Sequence, residues 1–268
     1  GFRHLRGFRA TSDEAYLYLR LDLEPGGGPP DWDRTQYWIG IDTYDAARGD
    51  HRFPGPVSVT TPAGMEFLVQ YAGKRSRILV NRPYDLFANR NHRPYRSVEG
   101  HGGDFIEIEV FTNRDRFGRD GTYYPPRGYS RSPLRRGSLD PASPDHDTLA
   151  DWIESPDGGF LEARIAWGLL NVTDPSSRQV IHEGTGGDGL VATRGTEGFR
   201  FHLLSLQGEG NSLAVVDRFP RAARPALSDF PVYRWSGWEE PRYHLALKES
   251  YGILKKALQA IPEYDDAK

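Results

Sequence analysis

The clearest pattern in the sequence is an alternation of leucines with polar or aromatic residues between Ala15 and Leu23. In an extended chain the four leucines fall on one face, and Tyr16 and Tyr18 fall on the other with Arg and Asp. A period of two is typical of a half-buried β-strand, because one helix does not separate residues in this way. This segment therefore predicts a strand with one face in the core.

Similar segments recur along the chain, separated by turn residues. They predict strands at residues 37–42, 57–60, 65–71, 77–80, 105–111, 160–167, 199–207, 213–217 and 230–235. Many short strands with almost no helical periodicity indicate an all-β protein. We predict an antiparallel β-sandwich, jelly-roll-like, that occupies residues 1–242.

One helix is predicted near the C-terminus, at residues 243–261. Its apolar positions follow a helical spacing at Leu247, Tyr251, Leu254 and Leu258. We expect this helix to pack on the sandwich and residues 262–268 to form a tail.

Residues 112–148 hold five prolines and seven arginines, with Tyr123, Tyr124 and Tyr129 among them. Loops of this length are uncommon in compact domains and are usually functional or disordered. We predict a long irregular insertion whose prolines and tyrosines pack on the sandwich. An arm that binds an anion or nucleic acid, or that docks a neighbouring domain, is the alternative.

Composition narrows the class of protein. The chain has 268 residues with 6 Trp, 14 Tyr and 13 Phe, which argues against global disorder. It has no cysteine, which excludes disulfides, thiol catalysis and cysteine zinc sites. With 34 basic and 37 acidic residues, general nucleic-acid binding is not expected. No apolar run reaches the roughly 18 residues of a membrane-spanning helix. The start at Gly1, without an initiator Met or an apolar leader, predicts an excised piece or a processed product.

Searches for catalytic motifs find no zinc-protease, nucleophile-elbow or Walker pattern. An acidic cluster of Asp42, Asp45 and Asp50 directly follows a predicted strand. Calcium takes oxygen ligands from such loops, so these residues are candidate ligands of a structural calcium ion. The alternative is that they are solvated turn residues.

Aromatic residues cluster near two strand ends. These candidate ligand-binding residues are Trp32, Tyr37, Trp38, Trp235 and Trp238. Sugars stack their apolar faces on exposed rings, while nearby polar groups bind the hydroxyls. The alternative is that these rings fill the core of the sandwich.

Three segments form a recognisable order along the chain: residues 10–19, residues 35–42 (Thr-Gln-Tyr-Trp-Ile-Gly-Ile-Asp) and residues 160–167. They resemble strands of the family 9 carbohydrate-binding modules and the related DOMON domains, although Ala166 stands where those families commonly have Pro. The resemblance implies a non-catalytic β-sandwich, often appended to an extracellular glycoside hydrolase. It also implies sugars as ligands and calcium as a structural ion.

From these observations we predict a carbohydrate-binding domain of a larger carbohydrate-active protein, extracellular or periplasmic. Its expected partners are an oligosaccharide or polysaccharide ligand and the neighbouring domains of a longer chain, with no nucleic acid. Two alternatives stay open. One is a glycoside hydrolase that uses a pair of carboxylates on the sandwich. The other is an interaction domain that docks its neighbour through the Arg/Tyr-rich loop.

Overall fold

The computed structural model describes residues 1–26, 28–57, 59–86, 103–138, 140–182, 192–239 and 248–261. The chain divides into two compact units, Gly1–Trp238 and Glu239–Lys268. Strands account for 42% of the structure and helical residues for 12%, and the sheets are antiparallel. The predicted class, an all-β sandwich-like fold with one helix near the C-terminus, is confirmed.

The described part of the first unit contains nineteen strands and several short 3-10 turns. The strands are β1 (Leu5–Ser12), β2 (Tyr16–Leu23), β3 (Thr35–Asp42), β4 (Asp50–Arg52), β5 (Thr60–Met65), β6 (Phe67–Tyr71), β7 (Arg77–Asn81), β8 (Phe105–Glu107), β9 (Glu109–Phe111), β10 (Arg116–Phe117), β11 (Tyr123–Tyr124), β12 (Gly128–Ser130), β13 (Trp152–Glu154), β14 (Phe160–Ala166), β15 (Val172–Asp174), β16 (Gln179–Ile181), β17 (Thr193–Gly195), β18 (Arg200–Gln207) and β19 (Ala214–Phe219). The 3-10 turns are Gly73–Arg75, Arg82–Tyr84, Trp167–Leu170, Gly210–Ser212 and Leu227–Asp229.

Two sheets form the body of the sandwich. A four-stranded sheet has the order β1-β2-β14-β13, and a six-stranded sheet has the order β19-β18-β3-β6-β7-β8. Smaller sheets pair β4 with β5, β9 with β12, β10 with β11, and β15 with β16 and β17. The strands at the centre of the two large sheets are therefore β2 and β14, and β3 and β6.

The inner core lies between the two large sheets. The alternation in β2 sends Leu17, Leu19 and their neighbours inward, where they are almost fully buried. Ile39 in β3 and Leu203 in β18 belong to the same buried cluster. The prediction from the period-two pattern is therefore confirmed: one face of each strand is buried by the opposing sheet.

A second buried cluster, the outer cluster, covers the other face of the six-stranded sheet. It comprises Trp38, Phe53, Val57, Val59, Met65, Leu68, Leu79, Phe105, Leu204, Leu206 and Leu213. A Cβ atom at Gly40 would clash with Met65 and crowd Phe53, so glycine allows this close packing over β3. The six-stranded sheet is consequently buried on both faces.

The stretch predicted to be an irregular insertion has two parts. Residues 109–130, the arm, form two short antiparallel pairs, and Phe117, Tyr123, Tyr124 and Tyr129 in the arm are exposed. Residues 131–138, the strap, hydrogen-bond to both large sheets: the Ile78 N–H donates to Ser132 O at 2.8 Å, and the Gly137 N–H donates to Trp152 O at 3.1 Å. The expected packing of tyrosines on the sandwich is wrong for the three tyrosines of the arm.

Three other sequence expectations differ from the structure. In the run 57–60, Val57 and Val59 lie in the outer cluster outside a strand, Ser58 lies outside the described residues, and β5 begins at Thr60. Residues 230–235 make only an isolated bridge at Tyr233. The run 105–111 is broken between β8 and β9. Conversely, β1 is not among the predicted strands, because its burial pattern alternates only partly.

The second unit contains helix α1 (Glu249–Gln259). Residues 243–247 of the predicted helix and the predicted tail lie outside the described residues. Tyr251 and Leu254 are exposed on α1, and the packing of this helix on the sandwich stays a prediction. No helix in the described ranges is long and apolar enough to cross a membrane.

Candidate functional site

The outer face of the four-stranded sheet carries the candidate site. The alternation that buries the leucines of β2 sends Tyr16, Tyr18 and Arg20 to this face, and β14 contributes Glu162 and Arg164 in the same way. The antiparallel register places Arg164 opposite Tyr18 and Glu162 opposite Arg20. Aromatic and charged side chains therefore lie side by side across the two central strands.

Two adjoining cavities form one cleft over this face. The first, of about 640 Å³, lies over β1, β2, β14 and β13. The second, of about 780 Å³, lies between Tyr16, the strap and the loop that follows the strap. Both are lined by Asp151 and Arg164, so the two cavities meet at these residues. Each is within the usual size range of small-ligand sites.

Arg164 is held in a fixed orientation at this junction. Its Nε donates to Ala150 O at 3.1 Å and its Nη2 donates to Thr148 O at 2.7 Å. The guanidinium carbon lies 5.3 Å from the centre of the Tyr16 ring. The loop carbonyls and the ring together position a cation whose charge no carboxylate of the described residues neutralises.

Tyr18 is also fixed in place. Its hydroxyl donates to Asp13 Oδ2 at 2.7 Å, and burial together with this carboxylate raises the pKa of Tyr18 to about 12. The ring therefore stays a neutral phenol over the physiological range and offers an aromatic surface of fixed orientation.

The neighbouring row of the sheet balances its own charges. Arg20 donates to Asp22 Oδ1 at 2.7 Å and to Glu162 Oε1 at 2.8 Å. These two bonds raise the pKa of Arg20, and its guanidinium lies 4.0 Å from the centre of the Phe160 ring. Arg9 Nη2 also lies 3.3 Å from Asp22 Oδ2, so two arginines meet two carboxylates. This end of the cleft is thus a neutral ion-pair network, in contrast to the end near Arg164.

The aromatic residues predicted to bind a ligand lie elsewhere. Tyr37 and Trp235 are buried in the inner core and Trp38 in the outer cluster, which corrects the expectation of an exposed platform at these three rings. Trp32 and Trp238 are half-buried and pack against the inner core. The structure does not bring the five residues together on one surface.

Trp32 has a polar partner that explains its position. Its Nε1 donates to Glu154 Oε2 at 2.9 Å, and its ring packs edge-on against Trp152. Burial is the main cause that raises the pKa of Glu154, although Arg136 and Trp32 oppose the shift. A role for Trp32 or Trp238 in ligand binding stays a prediction.

The predicted calcium ligands are engaged separately. Asp42 Oδ2 pairs with Arg200 Nη1 at 3.1 Å, and Asp45 Oδ1 accepts the Ala47 N–H at 3.0 Å. Asp50 accepts backbone N–H groups on both oxygens. Within the described ranges, no three His, Asp or Glu side chains form a group that could hold a metal ion. Calcium binding stays a prediction.

A buried acid lies beside Asp42. Glu66 is fully buried, and its Oε2 accepts the Thr43 N–H at 2.7 Å. Burial and the negative charge of Asp42 raise the pKa of Glu66 well above its usual value. A raised carboxyl pKa is a common feature of catalytic acids, but this group has no access to solvent. It is therefore a structural acid of the sheet.

Ser205, Asp217 and His4 have the residue types of a nucleophilic triad but a different arrangement. Asp217 Oδ2 accepts from Ser205 Oγ at 3.0 Å and lies 2.9 Å from His4 Nδ1. The histidine is not between the other two groups, and Ser205 is fully buried. Asp217 Oδ2 also accepts the Leu5 N–H at 3.2 Å, so this carboxylate of β19 instead joins the first residue of β1 to the neighbouring strand β18.

The residues of the cleft were not among the sequence candidates. The alternation in β2 and β14 had already placed Tyr16, Tyr18 and Arg164 on a polar face, and this was the signal that could have found them. Comparison of the chain with protein-family models, curated proteins and solved structures found no match. The resemblance to carbohydrate-binding modules therefore stays a prediction.

Proposed function

We propose that this chain is a non-catalytic module that binds a saccharide in the cleft of the four-stranded sheet. The observation that carries the proposal is the pair of tyrosines, Tyr16 and Tyr18, beside fixed polar groups in an open cavity of this size. Aromatic rings accept the apolar faces of sugars, and carboxylates and guanidinium groups bind hydroxyls. The cleft thus replaces the tryptophans as the binding surface of the predicted function.

The test is calorimetric titration with a panel of soluble oligosaccharides. We expect binding in the micromolar to millimolar range, roughly −8 to −4 kcal/mol. Tyr16→Ala and Tyr18→Ala should each weaken binding at least about tenfold, because stacking and oriented hydrogen bonds are lost. Tyr251→Ala, which changes an exposed tyrosine of α1, is the matched control and should bind as the parent does.

Three outcomes would contradict this proposal. If no oligosaccharide binds, or if the tyrosine variants bind normally, the cleft is not a saccharide site. If the parent protein instead hydrolyses a glycan and one carboxylate substitution abolishes the activity, the glycoside hydrolase alternative replaces the proposal.

The arm favours a second function, that of docking a neighbouring domain. Phe117 is 73% exposed at its tip and lies 5.2 Å, ring to ring, from Tyr123. Four arginines and two aspartates lie between residues 112 and 130. Exposed aromatic residues beside arginines are typical of protein interfaces, and the basic excess fits an acidic surface of a neighbouring domain.

A further inference from the structure

We propose, on the basis of the saccharide-binding function above, that the cleft selects acidic glycans over neutral ones. The larger cavity is lined by five basic side chains and only two acidic ones: Lys74, Arg131, Arg135, Arg136, Arg164, Asp145 and Asp151. The whole chain carries a formal net charge of −3. The cleft is therefore a local region of positive charge on an acidic protein, which attracts anions to this place.

Three of the five cations have no carboxylate partner among the described residues. Arg135 pairs with Asp147 at 3.2 Å, and Arg136 pairs with Glu154. By contrast, Lys74 and Arg131 are exposed and make no side-chain hydrogen bond or ion pair within the described part of the chain. Among the described residues, Arg164 donates only to two carbonyl oxygens, so its Nη1 is left to bind a ligand.

The mixed charges of the cleft favour a glycan with one anionic group every few sugar units over a polyphosphate chain such as a nucleic acid. Asp145 and Asp151 line the same cavity as the three unpaired cations, and Glu162 lies on the adjoining wall. A nucleic acid carries a phosphate at every residue and would be repelled by these carboxylates. A glycan has hydroxyls that donate to carboxylates and acidic groups that pair with arginine or lysine.

The acidic group of the glycan is a carboxylate or a sulfate, since both are flat or compact oxyanions that arginine binds through charged hydrogen bonds. Two ligands in the experiment separate these sources, a polyuronate oligomer and a sulfated dextran. An uncharged dextran and a single-stranded RNA complete the panel.

The variant to compare with the parent protein is Lys74→Gln/Arg131→Gln. Both side chains are exposed and unpaired, so the substitutions leave the fold intact, which a thermal melt verifies. Arg194→Gln/Arg224→Gln, two exposed arginines away from the cleft, removes the same charge and is the matched control.

At low salt we expect the parent to bind at least one acidic glycan about tenfold more tightly than neutral dextran. This difference in affinity should decrease near 0.15 M salt, because exposed charges are screened. The cleft variant should bind the acidic glycan about tenfold more weakly, a loss of roughly 1.4 kcal/mol in binding free energy. Its affinity for the neutral glycan should not change. The control variant should bind both as the parent does.

Equal or tighter binding of neutral dextran overturns this inference and leaves the proposed function standing. Tighter binding of RNA than of any glycan overturns it in favour of a nucleic-acid site. Binding of no glycan at all overturns the proposed function itself. Equal losses in the cleft and control variants would show a general charge effect and would also overturn the inference.

Discussion

The two large sheets differ in what lies on their outer faces. The outer face of the six-stranded sheet is covered by the outer cluster, in which Trp38 stacks on Phe53 at 6.4 Å. The outer face of the four-stranded sheet is open and carries Tyr16, Tyr18 and Arg164. One sheet thus has two buried faces, and the other has one buried face and one open face.

This difference has a sequence counterpart. β6 is buried at every position, from Phe67 to Tyr71, whereas β2 alternates strictly between buried and half-buried residues. A strand buried on both faces needs apolar side chains at nearly every position, while a strand with one wet face alternates. In this protein the alternation therefore marks the sheet whose outer face is open.

The largest expected effect comes from placing a charge on the buried face of the four-stranded sheet. Leu19→Asp should reduce the free energy of unfolding by about 4 kcal/mol or prevent folding, because an unpaired carboxylate is buried in the inner core. Urea denaturation measures this loss. The control Thr11→Asp places the same charge on the outer face and should stay within about 0.5 kcal/mol of the parent. Similar losses for both would show that the two faces are not distinct.

The next largest effect is the loss of stability when an aromatic side chain is removed from each of the two outer faces. Trp38→Ala should cost about 3–5 kcal/mol because it leaves a cavity in the outer cluster. Tyr16→Ala, at the open cleft, should cost about 1 kcal/mol or less. Thermal and urea melts of the two variants check this ratio. A small loss for Trp38→Ala would mean that the outer cluster does not close this face.

A third test measures how the free energy of unfolding depends on pH through a buried histidine beside the outer cluster. His202 is buried between Phe53 and Phe230, and neither ring nitrogen has a hydrogen-bond partner in the described residues. Burial, with a smaller contribution from Arg218, lowers the pKa of His202 to about 4. The unfolded chain therefore binds a proton near pH 6.5 that the folded chain takes up only near pH 4.

Stability should accordingly be fully present above about pH 6.5 and fall as the pH decreases toward 4, with a loss near 2 kcal/mol at about pH 5. His202→Phe should remove this part of the pH dependence, measured as the difference from the parent in urea melts at each pH. His146→Phe, at an exposed histidine, is the control. A parent-like pH profile for His202→Phe would contradict the buried neutral state.

The smallest expected effect is in the arm. Phe117→Ser should change the free energy of unfolding by less than about 0.5 kcal/mol, because the ring is mostly exposed. In a longer chain that includes a neighbouring domain, the same substitution should weaken the domain contact, which analytical ultracentrifugation or cross-linking detects. Destabilisation of the isolated chain would show that the arm packs on its own sandwich.

The sequence predicted the strands with strong local patterns and missed the features that depend on distant contacts. The alternation in residues 15–23 and 160–167 correctly indicated β2 and β14, because each strand carries its own burial pattern. The burial of Trp38 depends on residues such as Phe53, which stacks on it from another part of the chain and gives no periodic signal. The strap, likewise, is defined by hydrogen bonds to strands far from it in sequence.

The candidate site also depends on contacts between distant parts of the chain. Tyr16 and Tyr18 were visible as one face of a strand, but a polar face becomes a cleft only when other segments surround it. Lys74 from a 3-10 turn and Arg131 from the strap join that face through tertiary structure. No local spacing relates these residues to one another, so the sequence predicted the face and not the site.

The strap gives the cleft a mechanical connection to both sheets. It forms a wall of the larger cavity, and its backbone is bonded to Ile78 at one sheet and to Trp152 at the other. Local opening of these edges must break the bonds made by the Ile78 and Gly137 amides. A ligand that rests on the strap should therefore slow hydrogen exchange at both amides together. Binding at the outer face of one sheet would then also stabilise the edge at which the strap joins the two sheets.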